Sequence, residues 1–93
     1  MGYYYYSTIF KALSDEIRLK IVDLLNNEGE LCACKLLENF DITQPTLSYH
    51  MKILCDANII FSTKKGPWMY YQVNYKNIDE ARNYLDLRNR NKS

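Results

Sequence analysis

Two closely spaced cysteines are the residues with the most distinctive chemistry in this 93-residue chain. Cys32 and Cys34 lie two positions apart in the string Glu30-Leu31-Cys32-Ala33-Cys34. Thiolates favour soft acceptors such as trivalent arsenic, antimony, cadmium, zinc or cuprous ion over hard cations. The pair therefore predicts a site for one thiophilic ion, and the competing interpretation is two buried or idle thiols.

The spacing of this pair restricts the backbone that can form such a site. On a regular helix, residues two apart are rotated by about 200°, so their sulfurs would face nearly opposite ways. In an extended segment, alternate residues point to the same side. We therefore expect the chain to be extended or unwound at the start of a helix, with Cys34 at the cap position and Cys32 before it.

The number of available ligands decides between acceptors. Trivalent arsenic is satisfied by two or three sulfurs, whereas zinc prefers four ligands in a tetrahedron. The one other thiol, Cys55, has two interpretations: a third ligand, or, as we prefer, a small apolar residue on the buried stripe of its helix. A disulfide between Cys32 and Cys34, or oxidation of either, would make the site a redox switch instead, although the ring would be small and strained.

A second group of residues has the chemistry of DNA recognition. Polar side chains are expected on the outer face of one helix: Gln44, Thr46, Ser48, Tyr49 and Lys52. Amide and hydroxyl groups can pair with base edges in the major groove, and cations and hydroxyls can bind phosphate. Lys64 and Lys65 at a hairpin tip would reach phosphate or the minor groove. His50 either binds a phosphate or bridges two helices, and both alternatives stand.

The elements that position these groups follow from hydrophobic periodicity. We expect a helix over residues 4–13, a second capped by Ser14 and stopped at Gly29, and a third that ends near Phe40. Between the second and third helices, residues 31–33 form a short segment that could be extended. A fourth helix begins at a Thr43 or Gln44 cap with Pro45 in its first position. Strands at 59–63 and 68–73 form a hairpin around residues 64–67, and a last helix starts at Asn77.

This order of elements predicts a mostly α fold with a β-hairpin, a winged helix-turn-helix of the order α-α-α-α-β-β-α, in one domain over residues 1–93. The net charge of +1 excludes a grossly basic nucleic-acid coat, so any DNA contact must come from a local patch. No apolar run is long enough for a membrane span and no secretory signal is present, so we expect a cytoplasmic protein without a membrane partner. Catalytic sets such as Ser-His-Asp are missing, which argues against an enzyme.

Residues 10–73 resemble the ArsR/SmtB family of winged-helix metalloregulatory repressors. The resemblance is carried by four strings: Leu13-Ser14-Asp15 with Arg18-Leu19 and Ile21, then residues 30–34, then residues 44–51 with Leu54, then the wing. It implies a homodimer built from the first and last helices, which binds double-stranded operator DNA without a cofactor. It also implies release when As(III) or Sb(III), or alternatively Cd(II) or Zn(II), binds Cys32 and Cys34.

The cadmium and zinc branches of that family fit less well. The N-terminal arm has no cysteine, and the last helix has no histidine to build an interfacial zinc site. The tyrosine run from Tyr3 to Tyr6 is expected to pack at a dimer interface, because tyrosine suits half-wet surfaces. The alternative function is that of a pure protein-interaction module, which would use the tyrosine run to bind a partner.

Overall fold

The computed structural model describes residues 2–90, in which nine elements follow one another along the chain. They are α1 Tyr3–Ala12, α2 Glu16–Glu28, β1 Leu31–Cys32, α3 Ala33–Leu37, α4 Gln44–Asp56, β2 Ile60–Lys65, β3 Trp68–Val73, α5 Tyr75–Leu85 and α6 Leu87–Arg90. The predicted fold class is confirmed. Two short elements extend the predicted order, since β1 precedes α3 and α6 follows α5.

The short strand β1 joins the hairpin to form a three-stranded antiparallel sheet in the order β1-β3-β2. Leu31 lies opposite Tyr71, and Cys32 lies opposite Tyr70. The segment at residue 31 is therefore extended, as the sequence allowed, because its backbone pairs with the returning strand of the wing. This pairing brings the first cysteine into the same sheet as the wing.

The cap of α2 differs from the prediction. Asp15, and not Ser14, is the N-cap residue, because its carboxylate accepts a hydrogen bond of 3.1 Å from the Arg18 backbone N–H. The Ser14 hydroxyl instead donates to the Lys11 carbonyl at the end of α1 (2.7 Å). Gly29 ends α2 with φ of +83°, a conformation that favours glycine over residues with a Cβ.

Other boundaries shift by a few residues. Thr43 caps α4 by accepting a 3.3 Å hydrogen bond from the Thr46 N–H, so the helix begins at Gln44 and Pro45 holds its second position. There too a missing N–H costs nothing, since the first four helical N–H groups have no partner in the helix. Helix α3 ends at Leu37 rather than near Phe40, β2 runs on to Lys65 and α5 starts two residues early.

One hydrophobic core holds these elements together. Its fully buried side chains come from α1, α2, α3, α4 and the start of β2: Ile9, Ile21, Leu25, Leu36, Leu54, Ile59 and Ile60. Burial of a side chain of this size contributes about 1.5–3 kcal/mol. The core thus fixes the angle between α3 and α4 and anchors the base of the hairpin. None of the helices within residues 2–90 combines the length and apolar character needed to cross a membrane.

Replacing the α2 cap with Asp15→Ala is expected to lower the free energy of unfolding by about 1 kcal/mol at neutral pH. The Arg18 backbone N–H bonded to the Asp15 carboxylate, helped by the charge of the Arg18 guanidinium, holds the pKa of that carboxyl below its usual range, although burial opposes the shift. A lowered pKa stabilises the fold above the unfolded value of about 3.9, and this contribution is lost as the pH falls through the folded value.

Urea denaturation of both proteins at neutral and acidic pH measures this effect. The difference between them should shrink toward acidic pH. Ser14→Ala is the matched control and should change the free energy by less than about 0.5 kcal/mol at either pH. Equal losses for the two variants would mean that Asp15 is not the cap that matters.

Candidate nucleic-acid interface and thiol site

Helix α4 separates a buried face from a polar one. Leu47, Met51 and Leu54 are buried against the core. Five of the predicted DNA-contacting residues lie exposed on the opposite side: Gln44, Thr46, Ser48, Tyr49 and Lys52. The polar face of α4 is thus free of the core, which is the arrangement that a recognition helix needs to enter a major groove.

His50 lies on the inner side of α4 instead, and only 7% of its surface is exposed. Its Nδ1 accepts from Arg18 Nη1 at 3.1 Å, since a guanidinium can only donate, and it lies 3.8 Å from Asp15 Oδ2. The Arg18 Nε donates to the Ala12 carbonyl at 2.6 Å. His50 therefore bridges α2 and α4, the second of the two predicted alternatives. The other alternative, a contact from His50 to a DNA phosphate, is corrected on that ground: a buried ring tied to Arg18 positions the helix rather than reaching a phosphate.

The lysines predicted to contact phosphate differ in their surroundings. Lys64 is exposed and has no ion-pair partner among residues 2–90. Lys65 is already paired with the Glu30 carboxylate, and its Nζ lies 5.0 Å from the centre of the Tyr70 ring. Lys52 pairs with Asp56 one turn along α4. Both side chains are exposed to solvent, so this ion pair is weak. Lys64 is thus the wing cation most available to DNA.

The two cysteines meet at the junction of β1 and α3. Cys32 has extended backbone (φ −76°, ψ 160°) and is itself the N-cap of α3, its Sγ accepting from the Lys35 N–H at 3.3 Å. Cys34 is the second residue of α3, so the cap belongs to Cys32 and not, as expected, to Cys34. The Cα atoms are 5.4 Å apart and the sulfurs are joined as a disulfide. The extended residue before the helix turns both side chains toward each other, as the spacing argument required.

The third thiol does not join them. Cys55 lies half-buried near the end of α4 and packs against the core. Burial is the largest cause that raises the pKa of the Cys55 thiol, and burial likewise raises the pKa of the Tyr71 phenol, with Cys55 a smaller cause. Within residues 2–90, no group of three or more His, Cys, Asp or Glu side chains could hold a metal ion. The candidate site is therefore a two-sulfur site, and Cys55 has the surroundings of a core residue.

Glu30 is a residue of this region that the sequence reasoning missed. Its carboxylate accepts from Lys65 Nζ and, at 3.4 Å, from Gln72 Nε2 on β3. Together with the β1–β3 pairing, these contacts make the cysteine segment and the wing one connected unit. The signal was present, because Glu30 opens the cysteine string and two lysines occupy the hairpin tip, but only the sheet register shows that they meet.

A helix-turn-helix with an exposed polar second helix, followed by a basic hairpin, defines a winged helix DNA-binding regulator. The family model of bacterial regulatory proteins described as the arsR family matches residues 15–62, just over half of the chain. The chain belongs to this family. It is accordingly a transcription regulator and not an enzyme.

A curated relative agrees with that assignment, and two solved structures share the fold. An arsenical resistance operon repressor from Staphylococcus xylosus is 49% identical over 96% of this chain and 85% of its own length. The crystal structure of an ArsR family transcriptional regulator superposes with a TM-score of 0.86 at 21% identity, covering 97% of this chain and 92% of the other. A homodimeric winged helix-turn-helix domain from Mycobacterium bovis gives 0.72 at 23% identity, covering 88% and 73%.

Substitutions on α4 and on the wing should affect DNA binding differently. Gln44→Ala and Ser48→Ala are each expected to reduce discrimination between operator and random duplex by about 1–3 kcal/mol, because they would remove the base contacts predicted for these side chains. Lys64→Ala should weaken binding to every sequence and reduce the dependence on salt by about one phosphate contact. Binding titrations on both duplexes at several salt concentrations measure these changes.

Lys65→Ala is the matched control for the wing. It should cost less than Lys64→Ala, because Glu30 already holds the Lys65 ammonium. Equal losses on specific and random duplex for Gln44→Ala would contradict its assignment to base recognition.

Proposed function

We propose that this protein is a metalloid-responsive repressor of an arsenical resistance operon. It binds operator DNA as a homodimer, needs no cofactor to do so, and leaves the operator when trivalent arsenic or antimony binds Cys32 and Cys34. The observation that carries the proposal is the convergence of two sulfurs at the start of the helix-turn-helix. The arsenical resistance repressor that is 49% identical to this chain supports the same inducer class.

The chemistry of the site favours arsenic and antimony over zinc and cadmium. Arsenite, As(OH)3, exchanges two hydroxyls for the two thiols, so that two As–S bonds form and two waters leave without any change in oxidation state. The product is complete with the two sulfurs that the site supplies. Zinc would need two further ligands, and residues 2–90 bring none to the pair. Cd(II) and Zn(II) are therefore the secondary candidates.

Release of DNA follows from where the cysteines lie. Cys32 pairs with Tyr70 of the wing, and Cys34 lies in the first helix of the helix-turn-helix. A guest bound to both sulfurs links the sheet to α3 and so constrains the angle between the wing and α4. To act as an inducer, it must bind the state that does not fit the operator more tightly than the state that does.

Dimerisation is supported by the surface that α1 and α5 make together. The Tyr5 hydroxyl donates to the Glu80 carboxylate at 2.8 Å, and the rings of Tyr6 and Tyr84 stack at 4.0 Å. Beside these contacts the two helices and α6 leave large apolar side chains exposed: Tyr3, Tyr4, Leu85 and Leu87. A second copy would cover them, and a dimer places two recognition helices against two half-sites. In this proposal the tyrosine run packs at the interface between two copies of the protein, so no other binding partner is needed to explain it.

The central test replaces each ligand in turn. Cys32→Ser and Cys34→Ser should keep operator affinity within about twofold, since neither sulfur faces DNA in this proposal, but should lose release by arsenite. An operator gel shift titrated with arsenite, antimonite, cadmium and zinc on the reduced protein measures both properties. Cys55→Ser is the control and should still dissociate. Normal dissociation of both ligand variants would refute the thiol site.

A thiol-redox repressor is the second candidate, because the structure has the two sulfurs bonded to each other. Peroxide would convert the dithiol to the disulfide and itself to two waters. If redox is the signal, mild peroxide should release the native protein from operator and leave Cys32→Ser bound, while arsenite has no effect. We expect the reverse: arsenite should release the reduced protein at concentrations where peroxide does not. Thiol titration alongside the gel shift separates the two.

A further inference from the structure

A cleft opens beside the cysteine pair, between α3, the recognition helix and the wing. Its volume is about 350 Å³. Cys34 forms part of the wall, together with apolar side chains from all three elements: Leu37 of α3, Met51 of α4, and Trp68 and Met69 of β3. Trp68 and Met69 are 55% and 38% exposed. Large apolar side chains around a concave surface beside a cysteine sulfur are the composition of a small-molecule site.

We infer that this cleft receives the apolar substituent of an organic trivalent arsenical, R–As(OH)2, whose arsenic is held by Cys32 and Cys34. The inference rests on the proposed function and deepens it, since it names the class of inducer that the site fits best. The dithiol form of the protein is the reactant. Two As–O bonds break, two As–S bonds form, the two thiol protons leave in two waters, and the As–C bond is untouched.

The valence of arsenic is the first argument. Two thiolates leave a third substituent on the arsenic, and residues 2–90 bring no third thiol, imidazole or carboxylate to that position. In bound arsenite the third substituent is a hydroxyl, which would lose hydration in an apolar cleft. An aryl group in the same place buries apolar surface and stabilises the complex. A phenyl ring fits, because apolar cavities of about 150 Å³ already hold benzene.

The position of the cleft is the second argument. Gln44 and Ser48, both predicted to contact bases, also border it. A group lodged there lies between the recognition helix and the wing, which together must fit the DNA. Occupancy of the cleft therefore acts directly on the surface that reads the operator, in addition to the constraint from the two sulfurs.

The experiment uses the full-length protein, reduced with a phosphine that is then removed, and compares phenylarsenous acid with arsenite. Equilibrium dialysis with arsenic analysis gives both dissociation constants. Emission from Trp68, the one tryptophan of the chain, reports on the cleft itself. We expect phenylarsenous acid to bind at least about tenfold more tightly than arsenite and to change Trp68 emission more strongly, as the burial of an aromatic ring requires.

Aryl arsenicals differ from arsenite in their affinity for any dithiol. The decisive quantity is therefore the ratio of the arsenite dissociation constant to the phenylarsenous acid dissociation constant, compared between each variant and the native protein. Leu37→Phe fills the cleft and should reduce the preference for phenylarsenous acid about tenfold with arsenite affinity unchanged. Leu19→Phe, the same change at a 48% exposed position of α2 away from the cleft, is the matched control. Met69→Glu, which puts a carboxylate on an exposed part of the wall, gives a second reading if Leu37→Phe does not fold.

The outcomes distinguish the two proposals. Loss of the preference in Leu37→Phe or Met69→Glu, but not in Leu19→Phe, supports the cleft site. The cleft site is overturned if both cleft variants keep the preference for phenylarsenous acid and the aryl group does not change Trp68 emission. If arsenite still binds in that case, the proposed function remains intact. Failure of both arsenicals to bind the reduced protein overturns the cleft site and the proposed function together.

Discussion

The structure depends on one backbone constraint, the extended residue Cys32 between α2 and α3. Gly29 turns the chain out of α2 with a positive φ, and the next residues pair with β3 before α3 begins. A helix that started two residues earlier would point the sulfurs of Cys32 and Cys34 apart. The same strand pairing that converges the sulfurs also attaches them to the wing. The positions of the two sulfurs and of the wing are thus set by one short stretch of β-structure.

A second constraint fixes the recognition helix from its buried side. Arg18 donates from one guanidinium to the Ala12 carbonyl at the end of α1 and to His50 in α4. Hydrogen bonds to charged groups contribute about 1.5–3 kcal/mol, more than an average hydrogen bond. Because α1 belongs to the surface proposed to pair two copies, Arg18 ties the dimer surface to the helix that reads DNA. The proposed inducer site would act on α4 by a different route, through α3 and the sheet.

The sequence predicted those features that local rules decide. Periodicity and turn residues located the helices and the hairpin, and the Cys32–Cys34 spacing showed that the two sulfurs can converge only if the backbone there is extended or unwound. The sequence could not show that Glu30 contacts Lys65 or that residues 31 and 32 pair with β3. Both contacts follow from the register of strands that are far apart in the chain. The prediction of Ser14 as the N-cap of α2 was wrong for a related reason. Ser14 and Asp15 are adjacent and either side chain could cap the helix, so only their contacts in the folded protein decide between them.

His50 illustrates the limit most clearly. By helix spacing it lies one residue beyond exposed Tyr49 and one before buried Met51, so the pattern left a phosphate contact and a buried bridge equally open. Arg18, 32 residues earlier, decides between them by offering a donor inside the fold.

The net charge of +1 limits how much electrostatic attraction can contribute to DNA binding. With so little excess charge and Lys65 held by Glu30, few cations remain on the wing, and operator affinity must depend more on the fit of α4 and the wing than on charge. A regulator of that kind is sensitive to a small change in the angle between these two elements, which is the change that we propose for a guest bound beside Cys34.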